Sequence, residues 1–224
     1  MKNKVVVLLP MKGHSERVPN KNMRDFGGAP LYHAIMKSLQ DCEYVSKIII
    51  NTDSEVIAND AKSNFDKVQI NWRPKALCGD FVSMNDVINY DVCSEEGTEH
   101  FMQTHSTNPL VSSQTITSAI EHYFKVINEG YDSVFGVTKF QSRFYWQNGE
   151  AINHNPSELI RTQDLPPIYE ENSNFYIFSR QSFNDAGQKR IGLKPSMYAV
   201  DKLEATDIDD EQDFALALAL YTNK

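Results

Sequence analysis

At 224 residues, 41% hydrophobic and 23% charged, the chain has the size and balance of one α/β domain with a substantial core. It has no apolar run long enough to cross a membrane, and its formal net charge of −8 argues against a bulk nucleic-acid binder. The three cysteines, Cys42, Cys78 and Cys93, are odd in number and far apart, which predicts free thiols in a reducing cytoplasm rather than a disulfide framework.

The run Val5-Val6-Val7-Leu8-Leu9 predicts a first strand buried on both faces, stopped by Pro10. A polar loop with Gly13, Pro19, Gly27 and Gly28 follows. Pro30 then suits a first helical turn, and Leu31, Ile35 and Leu39 recur at helical spacing. Lys47 to Asn51 predicts a second strand. Asp53 or Ser54 caps a second helix with Val56, Ile57, Ala61 and Phe65 on its apolar face. Val68 to Trp72 reads as a strand, with Trp72 and the later Trp146 as packing residues. Ser83 to Asp86 resembles a capping box and opens a helix through Val87, Ile88 and Val92. Phe101 to Thr104 is strand-like. Ser112 or Ser113 starts a helix carrying Ile116, Ile120, Phe124 and Ile127 that ends near Gly130. Ser133 to Val137 is another strand.

This alternation predicts a mostly parallel sheet covered on both faces. It breaks at about 140–170, where the hairpin dipeptide Asn148-Gly149 and Pro156, Pro166 and Pro167 mark an excursion from a single domain spanning 1–224. Strands resume at Asn174 to Phe178 and Tyr198 to Leu203, and Asp210 caps a last helix, Phe214 to Tyr221.

The loop after the first strand concentrates cations: Lys12, Arg17, Lys21 and Arg24 stand against Glu16 alone. Ligands of open α/β sheets bind beyond the carboxyl ends of the strands, and Gly13 permits close backbone approach. Neither a P-loop nor a dinucleotide fingerprint is present. By composition alone, an anion-binding loop and a polar connection fit equally well. Asp207 and Asp209, at i and i+2 of an extended segment, project to one side and suit a hard cation; as acids ahead of a helix they also suit its dipole, as do Asp210, Glu211 and Asp213.

The loop Pro10-Met11-Lys12-Gly13-His14-Ser15-Glu16-Arg17-Val18-Pro19-Asn20-Lys21-Asn22 resembles the signature of acylneuraminate cytidylyltransferases, written P-A-R-G-G-S-K-R-I-P-N-K-N. Further matches follow in order: Asn51-Thr52-Asp53, Arg73-Pro74 with Leu77 and Asp80, Gln103, Asn108-Pro109-Leu110, Arg161-x-Gln163 with Pro166 and Tyr169, Asn172, Tyr176 and Asp207-Ile208-Asp209. Lys12 and Glu16 stand where the family usually has Arg and Lys, and the Gln103 segment is longer and lacks its Arg.

The resemblance implies a Rossmann-like, doubly wound domain acting as a homodimer, with the excursion reaching the partner's active site. It implies CTP and an acidic 2-keto sugar as substrates and Mg2+ as cofactor. Arg17, Lys21, Asp207 and Asp209 take the catalytic positions, and Asp207 and Asp209 hold the metal. Lys12, Gly13, Ser15, Asn22, Arg73, Asp80 and Ser83 fall on the nucleotide side; Gln103, Arg161, Gln163, Tyr169 and Asn172 fall on the sugar side. Ser83 and Asp80 also fit as helix caps, and Arg161 as a surface ion pair. A 3-deoxy-octulosonate-type enzyme, another nucleotidyltransferase and a non-catalytic nucleotide-binding protein stay open as alternatives.

Overall fold

The computed structural model describes residues 3–79 and 81–223. The expectation for Asp80 therefore lies outside the described residues. A seven-stranded sheet runs in the order β3-β2-β1-β4-β6-β5-β7. Its strands are β1 (Val5–Pro10), β2 (Val45–Thr52), β3 (Val68–Trp72), β4 (His100–Gln103), β5 (Ser133–Phe140), β6 (Ile168–Ser179) and β7 (Pro195–Val200). Pairing is parallel throughout except for β6, which runs antiparallel to both β4 and β5.

Alternation along each strand divides the core. Val5, Val7, Leu9, Ile48, Ile50 and Met102 pack on one face with α1 (Tyr32–Asp41), α2 (Glu55–Asn64) and α4 (Ser113–Val126). Val6, Leu8, Ile49, Phe101, Tyr176 and Phe178 pack on the other with α3 (Met84–Ser94) and α5 (Arg180–Asp185). A third cluster joins Val18, Phe26 and Leu31 of the first loop to Ile208 and to Phe214 and Ala217 of α6 (Glu211–Thr222).

The caps act locally. Ser54, not Asp53, caps α2 by accepting from the Ile57 N–H, and its buried face is Ile57, Ala58 and Ala61, leaving Val56 exposed. Ser83 caps α3 through the Asn85 N–H, without the reciprocal bond from Asp86 that a capping box requires. Ser112 caps α4 and Gly130, at φ 93°, closes the short turn that follows it. Asp210 and Asp213 form a complete capping box on α6.

Several expectations need correction. Strand β6 extends from Ile168, well before Asn174, because its outer half pairs with β5 across a register shift between Phe135 and Val137. Strand β7 ends at Val200; beyond it Asp201 accepts the Leu203 N–H and turns the chain. Helix α5 is too short to give a periodic signal. Trp72 and Trp146 are exposed rather than packed. The excursion does hold a hairpin: Trp146 exchanges backbone bonds with Glu150 and Gly149, and Gly149 takes φ 86°. Cys42 is buried, Cys78 and Cys93 are exposed, and all are free thiols. No helix among the described residues is long and apolar enough to cross a membrane.

Candidate active site

Strand order reverses beside β1, whose neighbours β2 and β4 lead to opposite edges of the sheet. Ligands of such sheets bind at this switch point, and the cationic loop leaves β1 there. Lys12, Ser15, Glu16, Arg17 and Lys21 line a cavity of about 260 Å³. A second cavity, of about 340 Å³, is lined by Glu170, Glu171, Asn172, Ser173, Tyr176, Ala205, Asp207 and Asp209.

The two cavities meet through specific contacts. Arg17 Nη2 donates to Asp209 Oδ1 at 2.7 Å. Lys21 Nζ donates to the Ile208 carbonyl at 2.6 Å. Burial lowers the Lys21 ammonium below the usual lysine range, against the opposing pull of Asp207 and Asp209. Ile208 is fully buried against Val18 and Phe214, so Asp207 and Asp209 flank an anchored residue and line one cavity.

The loop is braced rather than loose. Asn22 is buried; its Nδ2 donates to the Lys12 carbonyl at 3.1 Å and its Oδ1 accepts from Ser106 Oγ at 2.6 Å. With both ends of its amide engaged inside the chain, Asn22 shapes the loop. Gly13 likewise acts through packing: its N–H donates to Asp53 Oδ1 at 2.7 Å, and a Cβ there would lie 2.9 Å from Ser54 Cβ.

Arg73 Nε donates to Asn51 Oδ1 at 2.7 Å and Nη2 to the Asn51 carbonyl at 3.1 Å. Asn51 in turn donates to Asp91 Oδ1 at 2.8 Å, as Asn71 does at 3.0 Å. Burial raises Asp91 to about 6, opposed by those two bonds and by Arg73. This buried brace was invisible in the sequence, because its members come from β2, β3 and α3. Ser83 is an exposed helix cap.

Of the residues expected on the sugar side, Asn172 lines the second cavity and donates to Thr138 Oγ1 at 3.2 Å. Gln103 does not reach either cavity lining: it is fully buried, with both ends of its amide bonded within the chain. Arg161 pairs bidentately with Asp164 at 2.7 and 3.2 Å on the exposed excursion. Gln163 is exposed and offers its carbonyl to Gln141. Tyr169 sits exposed opposite Lys139 at the start of β6. The fold of one chain does not bring these last three to the cavities.

The residues present fit a hard divalent cation. Asp207 Oδ1 is buried and has no hydrogen-bond partner, although uncompensated buried carboxylate oxygens are costly. Asp209 lines the same cavity. No cluster of three or more His, Cys, Asp or Glu suited to a metal occurs among the described residues.

The α/β layering is shared with solved structures. One of CMP:2-keto-3-deoxy-manno-octonic acid synthetase complexed with CTP matches with a TM-score of 0.71 and 12% identity, covering 98% of this chain and 99% of that one. One of 4-diphosphocytidyl-2C-methyl-D-erythritol synthase matches with a TM-score of 0.69, also at 12% identity, covering 98% and 100%. At the sequence level, residues 6–224 match the Cytidylyltransferase family. The chain belongs to that family. It is 26% identical over 95% of its length to N-acylneuraminate cytidylyltransferase A of Danio rerio, of which it covers 50%. It is 25% identical over 99% of its length to the pseudaminic acid cytidylyltransferase of Campylobacter jejuni serotype O:2, of which it covers 97%. The chain spans about half the length of the N-acylneuraminate relatives it matches.

Proposed function

We propose that this chain transfers CMP from CTP to the anomeric hydroxyl of an acidic 2-keto sugar, a nonulosonic acid, with release of pyrophosphate. The observation that carries the reading is the Arg17–Asp209 contact at 2.7 Å, which joins a cation-lined cavity to a carboxylate-lined one at the switch point of the sheet. A triphosphate suits the first and a metal-assisted acceptor suits the second.

In the reaction, the anomeric hydroxyl gives up its proton to solvent and its oxygen bonds to the α-phosphorus, as the bond from that phosphorus to the α,β-bridging oxygen breaks and pyrophosphate leaves. Lys12, Ser15, Arg17 and Lys21 orient the phosphates and offset the charge that builds on them. Arg73 and Ser83 serve the nucleotide side, and Asn172 serves the acceptor. Asp207 and Asp209 would hold Mg2+, which would supply Lewis-acid charge to the transfer.

The excursion mediates a homodimer. Tyr145, Trp146, Leu159 and Ile160 are exposed on it, a density of apolar side chains that favours a protein partner. Arg161, Gln163 and Tyr169 then act on the neighbouring subunit's site. Free thiols support a reducing, cytoplasmic setting.

The test is pyrophosphate release across a matrix of four nucleoside triphosphates against nonulosonic and octulosonic acids. CTP with a nonulosonic acid should dominate. Equal use of the four nucleotides, or CTP binding without pyrophosphate release, would overturn the reading.

A further inference from the structure

Arg190 lies on the loop between α5 and β7 and belongs to none of the motifs above. Its Cζ stands 3.7 Å from the centroid of the Tyr176 ring. Its Nη1 donates to Gln103 Oε1 at 2.8 Å and approaches His105 Nε2 at 3.5 Å. The rest of this arrangement fixes that edge. Gln103 Nε2 donates to the Thr104 carbonyl at 2.9 Å and to His105 Nε2 at 2.9 Å, so the amide oxygen is left for Arg190. The groups facing His105 Nε2, the Gln103 amide nitrogen and Arg190 Nη1, can only donate, so that nitrogen is the acceptor; burial and the neighbouring guanidinium lower the ring to about 4.

A guanidinium carries five N–H donors, of which Nη1 holds two. The three on Nε and Nη2 have no partner among the described residues. That side edge is the one that binds a carboxylate bidentately. Tyr176, against which Arg190 rests, also lines the cavity of Asp207 and Asp209, and its hydroxyl donates to Glu171 Oε1 at 2.6 Å. Four carboxylates line that cavity, and no cation is among its described lining residues. An anionic acceptor entering it gains from a positive partner, and Arg190, itself outside the lining, borders the cavity through the Tyr176 ring. Arg161 does not supply one within the chain, being committed to Asp164.

We propose that Arg190 is the residue that binds the carboxylate of the acidic sugar and sets the enzyme's preference for acids over neutral sugars. Gln103 and His105 hold its opposite edge. The inference rests on the functional reading above and adds the residue that recognises the acceptor's charge.

The experiment measures pyrophosphate release with Arg190→Gln, Arg190→Lys and Arg161→Gln against the parent, titrating N-acetylneuraminic acid, pseudaminic acid and the carboxamide of whichever acid is used. Losing a charge-assisted bidentate contact should raise KM for the acid about 10- to 100-fold in Arg190→Gln. KM for CTP should stay within about twofold of the parent, and preference for acid over carboxamide should disappear. Arg190→Lys keeps the charge without the fork and should fall between. It also answers the question if the Gln variant melts early. An unchanged KM for the acid in both Arg190 variants, or equal losses for acid and CTP, would overturn the inference alone. So would a selective loss in Arg161→Gln with Arg190→Gln unaffected. A parent that turns over none of the acids overturns the functional reading and the inference with it.

Discussion

The carboxylate of Asp213 accepts hydrogen bonds from the backbone N–H groups of both Asp209, at 3.0 Å, and Asp210, at 3.1 Å. Asp213 is therefore more than an acid offsetting the dipole of α6: it fixes the backbone that carries Asp209. Asp213→Ala should lower turnover several-fold, because Asp209 and its partner Arg17 lose their mount. Removing one half of a capping box costs about 1 kcal/mol, or about 2–4 °C for a domain of this size. Asp213→Asn keeps an acceptor oxygen and should lose less. Turnover of Asp213→Ala equal to the parent, at a comparable melting temperature, would refute the mounting role.

Asp207 and Asp209 separate by their surroundings. The Arg17–Asp209 pair is exposed, 64% and 57% at the side chains, so breaking it should cost little stability. Asp207 carries a buried oxygen with no partner, so Asp207→Asn should leave the melting temperature of the metal-free protein level or raised. Both Asn variants should lose pyrophosphate release by orders of magnitude across a magnesium titration. Normal turnover in either variant, or loss that tracks unfolding, would return these residues to the helix-dipole role.

Asp91 sets a pH dependence whose sign follows from its burial. Its native pKa is about 6 against an ordinary 3.8, so between those values the native state binds more protons than the unfolded state. The stabilisation is full below the unfolded pKa and is lost as pH rises through the native one. Denaturant unfolding of the parent and Asp91→Asn at about pH 7 and about pH 4.5 should therefore show the parent gaining on the variant at the lower pH, by on the order of 2 kcal/mol. A gap that does not vary with pH would show that Asp91 titrates normally.

The excursion offers a direct test of assembly. Leu159 is 95% exposed and Trp146 is 62% exposed. A parent that is dimeric by light scattering should become monomeric in the double variant Trp146→Asp, Leu159→Asp, with the folded domain intact and activity reduced. An active monomeric parent would reassign these side chains to another partner.

The α/β alternation was legible because β1, β2 and α4 carry unbroken apolar periods. The ends of β6 and β7 were not, because Glu170, Glu171 and Asn172 continue a strand with polar side chains, and the Asx turn at Asp201 stops one amid residues of strand type. The first loop and the Asp207–Asp209 segment could be read since their chemistry is contiguous in sequence. Arg190 and Asp91 could not, because their partners lie tens of residues away: Gln103 is 87 positions from Arg190. Gln103 was named from its place in a motif, while its burial and its bond to Arg190 depend on residues far along the chain.

Strand β6 has a consequence for how the protein is made. Strands β1 to β4 can assemble among themselves, but among the described residues β5 has β6 and β7 as its neighbours, and both are synthesised after it. Until the ribosome has passed Ser179, β4 presents an open edge and β5 has no strand to join. β6 inserts between them and brings Asn172 and Tyr176 with it, so the cavity that Asp207 and Asp209 line is completed by the last third of the chain. The nascent chain therefore passes through a stage with an exposed strand edge, the kind of surface that chaperones shield and that aggregates when they fail.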